Sequence, residues 1–159
     1  MARIIIVMLS LLYISCKKEK SPAPLDSNNQ VNATVILMSG DTVKIDAVGS
    51  KAAMGCGILG GGTFIIGTDE KNRAVFLNPF STTSSCVKGP GTYAFICEYR
   101  TNVSSQSTPI YSNSLAADRG SITFTTPGGD YAEGYFYAVC KYSTDSVVVQ
   151  GTFKGYIPY

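Results

Sequence analysis

The residues of this chain with the widest chemistry available to them are its five cysteines, Cys16, Cys56, Cys86, Cys97 and Cys140. A thiol can carry a covalent group, ligate a metal or form a disulfide. The chain has no CxxC pair and no histidine to complete a ligand set, so the sequence predicts no zinc site. Covalent modification and disulfide formation remain as the thiol reactions to consider.

The absence of histidine also limits the catalytic chemistry, because Ser-His-Asp and Cys-His mechanisms both need an imidazole. Two carboxylates can hydrolyse a glycoside or help to bind calcium. Asp130 and Glu133 form a candidate pair, but a spacing of three on a strand directs the two side chains to opposite faces. We expect no catalytic residue, no metal and no cofactor.

A glycine-rich segment at residues 55–60, GCGILG, matches the dinucleotide-binding pattern GxGxxG. That pattern binds a pyrophosphate only where a strand precedes it and a helix follows. Here two more glycines and the strand-like residues 63–65 follow. The sequence therefore predicts a flexible loop or a bulge at this position.

The N-terminus has the organisation of a signal peptide. Arg3 supplies a positive charge, and residues 4–15 form a mainly apolar run. This run is too short to cross a hydrocarbon core of ~30 Å as a helix, but it has the length of a signal-peptide apolar region. It ends in the small residue Ser15, directly before Cys16. We predict a signal peptide over residues 1–15.

The sequence Leu12-Tyr13-Ile14-Ser15-Cys16 resembles a bacterial lipobox, and a leader ending in Ser-Cys-Lys-Lys is similar to those of Bacteroidetes-type lipoproteins. The resemblance implies that the Cys16 thiol becomes a thioether carrying diacylglycerol, with cleavage before Cys16 and acylation of the new amine. Two or more acyl chains anchor a protein stably, so the resemblance implies a cell-envelope location, first of all the outer membrane. An ordinary secreted leader and a cytosolic protein with an apolar start are the alternatives.

The polar composition of residues 16–30 predicts a flexible tether, since charged residues, Pro, Ser and Asn cannot bury apolar surface. Residues 1–30 contain four basic and two acidic side chains, which leaves nine of each for residues 31–159. A domain without net charge has no electrostatic footprint for nucleic acid. The expected partner is the membrane, through the lipid on Cys16.

Residues 31–159 read as one all-β domain. Short apolar runs alternate with Gly, Asn, Asp and Pro, and the many Tyr, Phe, Val and Thr residues favour strands. Residues 31–38, 42–48, 91–100, 133–142 and 146–157 are the clearest strands, and 115–119 is the only candidate for a helical turn. Eight or nine strands at even spacing predict an antiparallel β-sandwich or a small up-and-down barrel.

Two short motifs, Gly91-Thr92-Tyr93 and Gly151-Thr152-Phe153, occur in this pattern. Together with the closing strand-turn-strand run, they resemble the terminal meander of uncharacterised lipocalin-like lipoprotein domains from the same bacterial group. The resemblance covers most of residues 31–159 and implies no established activity.

Once Cys16 is assigned to the lipid, four cysteines remain, and four allow three disulfide connectivities. Cys97 and Cys140 both lie in strong strands, whereas Cys56 and Cys86 lie in connections rich in Gly or Ser. We favour the pairs Cys56–Cys86 and Cys97–Cys140. Four buried free thiols are the alternative.

Two kinds of surface site are suggested by pattern alone. Tyr135 and Tyr137 share a strand face opposite Phe136 and Cys140, so the two rings can stack on a sugar or contact a partner chain; an ordinary solvent-facing sheet surface is the alternative. Thr42 in Asp-Thr-Val and Ser146 in Asp-Ser-Val resemble the three-residue O-glycosylation signal of exported Bacteroidetes proteins.

The functional expectation is a lipid-anchored envelope lipoprotein whose β domain is a non-catalytic binding or structural accessory module, with a glycan or a protein as partner. A lipocalin-like carrier of a small apolar ligand is one alternative, and it requires an internal cavity of several hundred Å³ on the scale of ligand pockets. A carboxylate-dependent glycoside hydrolase is the other.

Overall fold

The computed structural model describes residues 28–57, 62–80, 86–87, 89–113, 120–126 and 130–158. These residues form eleven β-strands and one 3-10 turn at Gly49–Lys51. The strands are β1 Gln30–Leu37, β2 Thr42–Val48, β3 Ala52–Cys56, β4 Thr63–Thr68, β5 Ala74–Pro79, β6 Gly91–Tyr93, β7 Phe95–Arg100, β8 Ile110–Ser112, β9 Gly120–Phe124, β10 Tyr131–Tyr142 and β11 Asp145–Tyr156. Within the described part of the chain, no helix has the length and apolar character needed to cross a membrane.

Strict alternation of side chains explains the long C-terminal hairpin of β10 and β11. Along β10, buried Ala132, Phe136 and Cys140 alternate with outward residues such as Tyr135 and Tyr137. The pleat of a strand places alternate side chains on opposite faces, so one face of the hairpin enters the core and the other meets solvent.

The sheet is an up-and-down barrel that is almost closed. The order of hydrogen-bonded neighbours is β2-β1-β11-β10-β8-β7-β5-β4-β3, and every pair is antiparallel. The short strands β6 and β9 pair with each other, and β9 also pairs with β10. The all-β prediction is confirmed, and the nine strands along this path form a nearly closed barrel.

Along the described strands, β2 and β3 are the two ends of the order, and at the seam between them packing and isolated hydrogen bonds replace a ladder. Gly67 on β4 lies so close to Val31 that a β-carbon there would be 2.7 Å from the valine Cβ. Arg73 Nη2 donates to the carbonyl oxygen of Lys44 on β2 (3.4 Å), and Cys56 N donates to that of Pro158 (3.1 Å).

The interior of the barrel is a packed core. Its apolar side chains are between 0% and 5% exposed. A side chain beside an internal cavity large enough for a water molecule would keep solvent-accessible surface, and these side chains have almost none. The largest fully buried side chains come from strands all around the barrel: Tyr99, Phe124, Ile45, Ile65, Leu77 and Ile122 among them.

Two glycines explain how large rings fit between β10 and β11. The register places Phe136 opposite Gly151 and Phe153 opposite Gly134. A β-carbon on Gly151 would lie 2.9 Å from the Phe136 Cζ atom, and one on Gly134 would lie 2.7 Å from that of Phe153. Each ring therefore occupies the space that a side chain on the opposite glycine would take.

The structure differs from the predicted strands where local sequence is weak. The strand β3 was not predicted, because Ala and Gly have low strand propensity; it is held by pairing with β4, whose Phe64 ring packs over Gly55. The strand β8 was also not predicted, and the predicted strand at 91–100 is interrupted at Ala94. The predicted helical turn at 115–119 lies outside the described residues.

The barrel also begins before the predicted domain boundary at residue 31. Asn29, placed by the sequence in the tether, is buried. Its carbonyl oxygen accepts from Gly49 N and its Oδ1 atom accepts from Tyr156 N, both at 2.9 Å. Asn29 thus belongs to the folded domain, while Cys16 and the rest of residues 1–27 lie outside the described part.

Candidate functional site

The outward side chains of β1, β11, β10 and β9 form a continuous surface that we call the tyrosine face. Its most exposed aromatic residues lie on β10: Tyr131, Tyr135 and Tyr137 are 42%, 54% and 46% exposed. Tyr135 and Tyr137 were predicted from the alternation. Tyr131 was missed because the predicted strand began at Glu133, two residues beyond the true start.

The strand register surrounds Tyr135 with polar side chains. Across the sheet it lies opposite Thr152 on β11 and Thr123 on β9, and Thr152 in turn lies opposite Asn32 on β1. Thr123 Oγ1 is hydrogen-bonded to Thr92 Oγ1 (2.9 Å), and this bond holds the Thr123 side chain in place on the β9 side of Tyr135. The result is an exposed ring in a band of hydroxyls and an amide.

A groove of about 340 Å³ opens beside Tyr135 on this face. The side chains that line it include those of Gln30, Asn32, Glu133, Tyr135, Thr152 and Lys154. Glu133 lies directly opposite Lys154 in the register, so the acidic and the basic group in the groove offset each other. The groove therefore has no net charge, and it combines hydroxyl, amide and charged groups with apolar surface.

The end of the tyrosine face is formed by a cross-strand pair of rings. Tyr131 lies opposite Tyr156 on β11, and the Tyr156 hydroxyl donates to Asp130 Oδ2 at 3.3 Å. The charge of Asp130 raises the pKa of Tyr156, with smaller contributions from desolvation and the hydrogen bond. Asp130 is thus engaged with Tyr156, and Glu133 lies in the groove. Among the described residues, no three His, Cys, Asp or Glu side chains are grouped so as to hold a metal ion.

A second groove, of about 240 Å³, lies on the opposite part of the barrel and is mainly apolar. It is lined by outward residues of β4, β5 and β7, including Phe64, Ile66 and Ile96. The Arg100 guanidinium lies 4.4 Å from the centroid of the Phe76 ring, at the same surface. Few polar groups converge here, so this groove has fewer hydrogen-bonding groups to orient a bound ligand than the tyrosine face has.

Cys56 and Cys86 are joined in a disulfide, the first of the two predicted pairs, with Cα atoms 5.8 Å apart. Cys56 is the last residue of β3 rather than part of a loop. The neighbouring Val87 is held on β4 by the buried Thr63, whose Oγ1 accepts from Val87 N (2.8 Å) and donates to Val87 O (3.1 Å). The disulfide and this hydroxyl together fasten the segment to the barrel.

The second predicted pair is not a disulfide: Cys97 and Cys140 are buried free thiols. Cys140 Sγ donates instead to the carbonyl oxygen of Cys97 at 3.5 Å. Asn113 lies between the strands, and its Oδ1 accepts from Cys97 N while its Nδ2 donates to Phe95 O. Burial, followed by the neighbouring thiol of Cys140, raises the pKa of Cys97, which keeps this thiol protonated.

The two predicted glycosylation positions differ in accessibility. Thr42, the first residue of β2, is exposed, whereas Ser146 on β11 is half-buried. Both flank hairpin turns at the same end of the β1–β11 pair, because Leu37 lies opposite Val147. The Asp145 carboxylate that precedes Ser146 accepts from Ser146 N (2.8 Å) and from the Tyr111 hydroxyl (2.7 Å). Modification of either residue stays a prediction.

Because the Tyr111 hydroxyl is hydrogen-bonded to Asp145, we expect Tyr111 to lose its proton at a higher pH than an ordinary tyrosine. The hydrogen bond to Asp145 is the largest of the effects that raise the pKa of Tyr111 from 10.0 to about 12. Because a raised pKa favours the protonated form in the folded state, the stabilisation is present below pH 10.0 and is lost as the pH rises through about 12. In ultraviolet difference spectra, we expect Asp145→Asn to lower the pKa of one tyrosine toward the ordinary value of 10.0. Asp46→Asn is the control. Superimposable curves for Asp145→Asn and wild type would contradict this.

Comparison with known proteins adds no identification. No family model matches the chain, and no match was found among curated proteins or among solved structures.

Proposed function

We propose that this protein is a lipid-anchored cell-envelope lipoprotein whose barrel is a non-catalytic binding module, with the tyrosine face as its binding surface. The observation that carries the binding part is the exposure of three tyrosines on one strand beside a groove without net charge. Exposed aromatic rings grouped on one surface are typical of interaction sites.

The anchoring part is supported by the sequence around Cys16 and by the position at which the barrel begins. If Cys16 carries the lipid, residues 17–28 connect it to Asn29, which is hydrogen-bonded to β11. The thirteen residue steps from Cys16 to Asn29 span about 45 Å at most when fully extended. The tether would therefore keep the barrel close to the bilayer while allowing it to rotate.

Two features favour a surface site over the alternatives. The core side chains are almost completely buried, whereas a lipocalin-like carrier needs an internal cavity of several hundred Å³. A glycoside hydrolase needs two carboxyl groups about 5–10 Å apart across a cleft. Among the described residues that line the groove, Glu133 alone carries a carboxyl group, and it lies opposite Lys154.

The anchoring is tested by replacing Cys16. We expect Cys16→Ala to remain unlipidated and to keep residues 1–15, because the thiol that carries diacylglycerol is gone. Intact-mass measurement of protein purified from membranes reads both changes, and Ser10→Ala in the same leader should be processed like wild type. Wild-type protein with an unmodified Cys16 and an intact leader would overturn the anchor.

A further inference from the structure

We propose that the groove beside Tyr135 binds an uncharged, extended saccharide chain, with one sugar ring stacked on Tyr135. This inference rests on the proposed function, because it names the ligand class of the same tyrosine face. Shape, hydrogen-bonding groups and charge each support it separately.

The tyrosines of β10 form a linear platform. Outward residues on a strand recur about every 7 Å, so the rings at Tyr131, Tyr135 and Tyr137 span about 20 Å along the strand. Each ring lies on the outer face with roughly half of its surface exposed. A ring without covering side chains presents an apolar surface, and the C–H groups on one face of a pyranose provide a matching apolar surface.

The groups next to the rings suit a ligand rich in hydroxyls. Asn32 and Gln30 on β1 each offer a carbonyl acceptor and an amide donor, and Thr152 offers a hydroxyl that can do either. These three side chains lie on the groove side of Tyr135. The combination of one ring with several two-way hydrogen-bonding groups fits a sugar ring better than it fits an apolar ligand.

The charge distribution selects for a neutral ligand. The charged residues on the outward face of β2, β10 and β11 and at its end are Lys44, Asp46, Asp130, Glu133, Lys141 and Lys154. Three are acidic and three are basic, and Glu133 and Lys154 lie opposite each other. An acidic polysaccharide or a nucleic acid would find no net positive surface here.

A protein partner fits this surface less well. The central positions of protein interfaces are rich in aromatic and apolar residues and poor in polar ones. Here the neighbours of Tyr135 across the sheet are Thr152 and Thr123. The groove volume of about 340 Å³ is at the small end of ligand pockets, which accommodates one sugar unit, and Tyr131 and Tyr137 lie farther along β10 on the same face.

The test is affinity electrophoresis of the full chain in gels containing dextran, xylan, mannan or laminarin as neutral polymers, or polygalacturonate as the acidic one. We expect retardation by at least one neutral polymer and none by polygalacturonate. Tyr135→Ala should weaken binding about tenfold or more, because the stacking surface is lost. Tyr135→Phe keeps the ring and should stay close to wild type, and Tyr142→Ala, a tyrosine about equally exposed outside the groove, is the matched control.

Absence of retardation by all four neutral polymers, equal binding by Tyr135→Ala and wild type, or preference for polygalacturonate would each overturn the saccharide inference. Circular dichroism of each variant shows whether it has folded, and Asn32→Ala provides a second variant should Tyr135→Ala fail to fold. Lipidation is read separately by mass. A lipidated chain that binds no saccharide refutes this inference alone, and a binding chain without lipid refutes only the anchor.

Discussion

Removing the Cys56–Cys86 disulfide with the double variant Cys56→Ser/Cys86→Ser is expected to lower the free energy of unfolding by about 3–4 kcal/mol. The disulfide closes a loop with a sequence separation of 30, and a crosslink of that length restricts the unfolded chain substantially. It also fastens the end of β3, an edge strand at the seam of the barrel. Loss of the crosslink should therefore loosen the seam first.

Urea unfolding followed by tyrosine fluorescence measures this effect, since the chain has no tryptophan. Wild-type protein in reductant should unfold at the midpoint of the double variant, and reductant should not shift the variant further. The pair Cys97→Ala/Cys140→Ala is the matched control, because it removes two buried free thiols without removing a crosslink. A wild-type midpoint that is the same with and without reductant would contradict the prediction.

The replacement Gly151→Val is expected to destabilise the barrel by about 3 kcal/mol or more, at or beyond the upper end of ordinary overpacking. A β-carbon at this position would overlap the carbonyl oxygen of Asn32 and would lie 2.9 Å from both Ala33 Cα and Phe136 Cζ. The backbone of β1 cannot move aside without breaking its ladder with β11. The ring of Phe136 is buried and has no other space to enter.

Thermal and urea unfolding of Gly151→Val measure the loss, and Gly57→Ala is the control. Among the described residues, the nearest atom to a β-carbon added at Gly57 is Gly62 O at 3.9 Å, so this replacement should change stability by about 0.5 kcal/mol at most. Equal stability of Gly151→Val and Gly57→Ala would show that the β1–β11 contact is less rigid than the structure indicates.

The sequence predicted the long strands because their pattern is strong. The strands β10 and β11 have twelve residues each, and side chains alternate between the two faces over most of that length, which leaves one interpretation of which face is buried. The strand β3 carries no such pattern: Ala52, Gly55 and Cys56 favour no strand by themselves, and β3 exists because β4 pairs with it. The three-residue strand β8 is similarly set by its neighbours β7 and β10.

The candidate site was predictable only in part. Alternation was enough to place Tyr135 and Tyr137 on the outer face, but the arrangement of Asn32, Thr152 and Tyr135 depends on the register of three strands, and two of them are distant in sequence. The missing Cys97–Cys140 disulfide has a similar cause. Two cysteines can share an inner face without being bonded. The residue that lies between their strands is Asn113, and no sequence pattern indicated that it would be there.

Pairing of β1 with β11 has a consequence for how the chain acquires its structure. The first strand has one partner close in sequence, β2, and one at the far end of the chain, β11. During synthesis from the N-terminus, one edge of β1 lacks its partner strand until β11 has been made. Topologies dominated by distant pairings form slowly, so pairing of β1 with β11 should be a late step in folding.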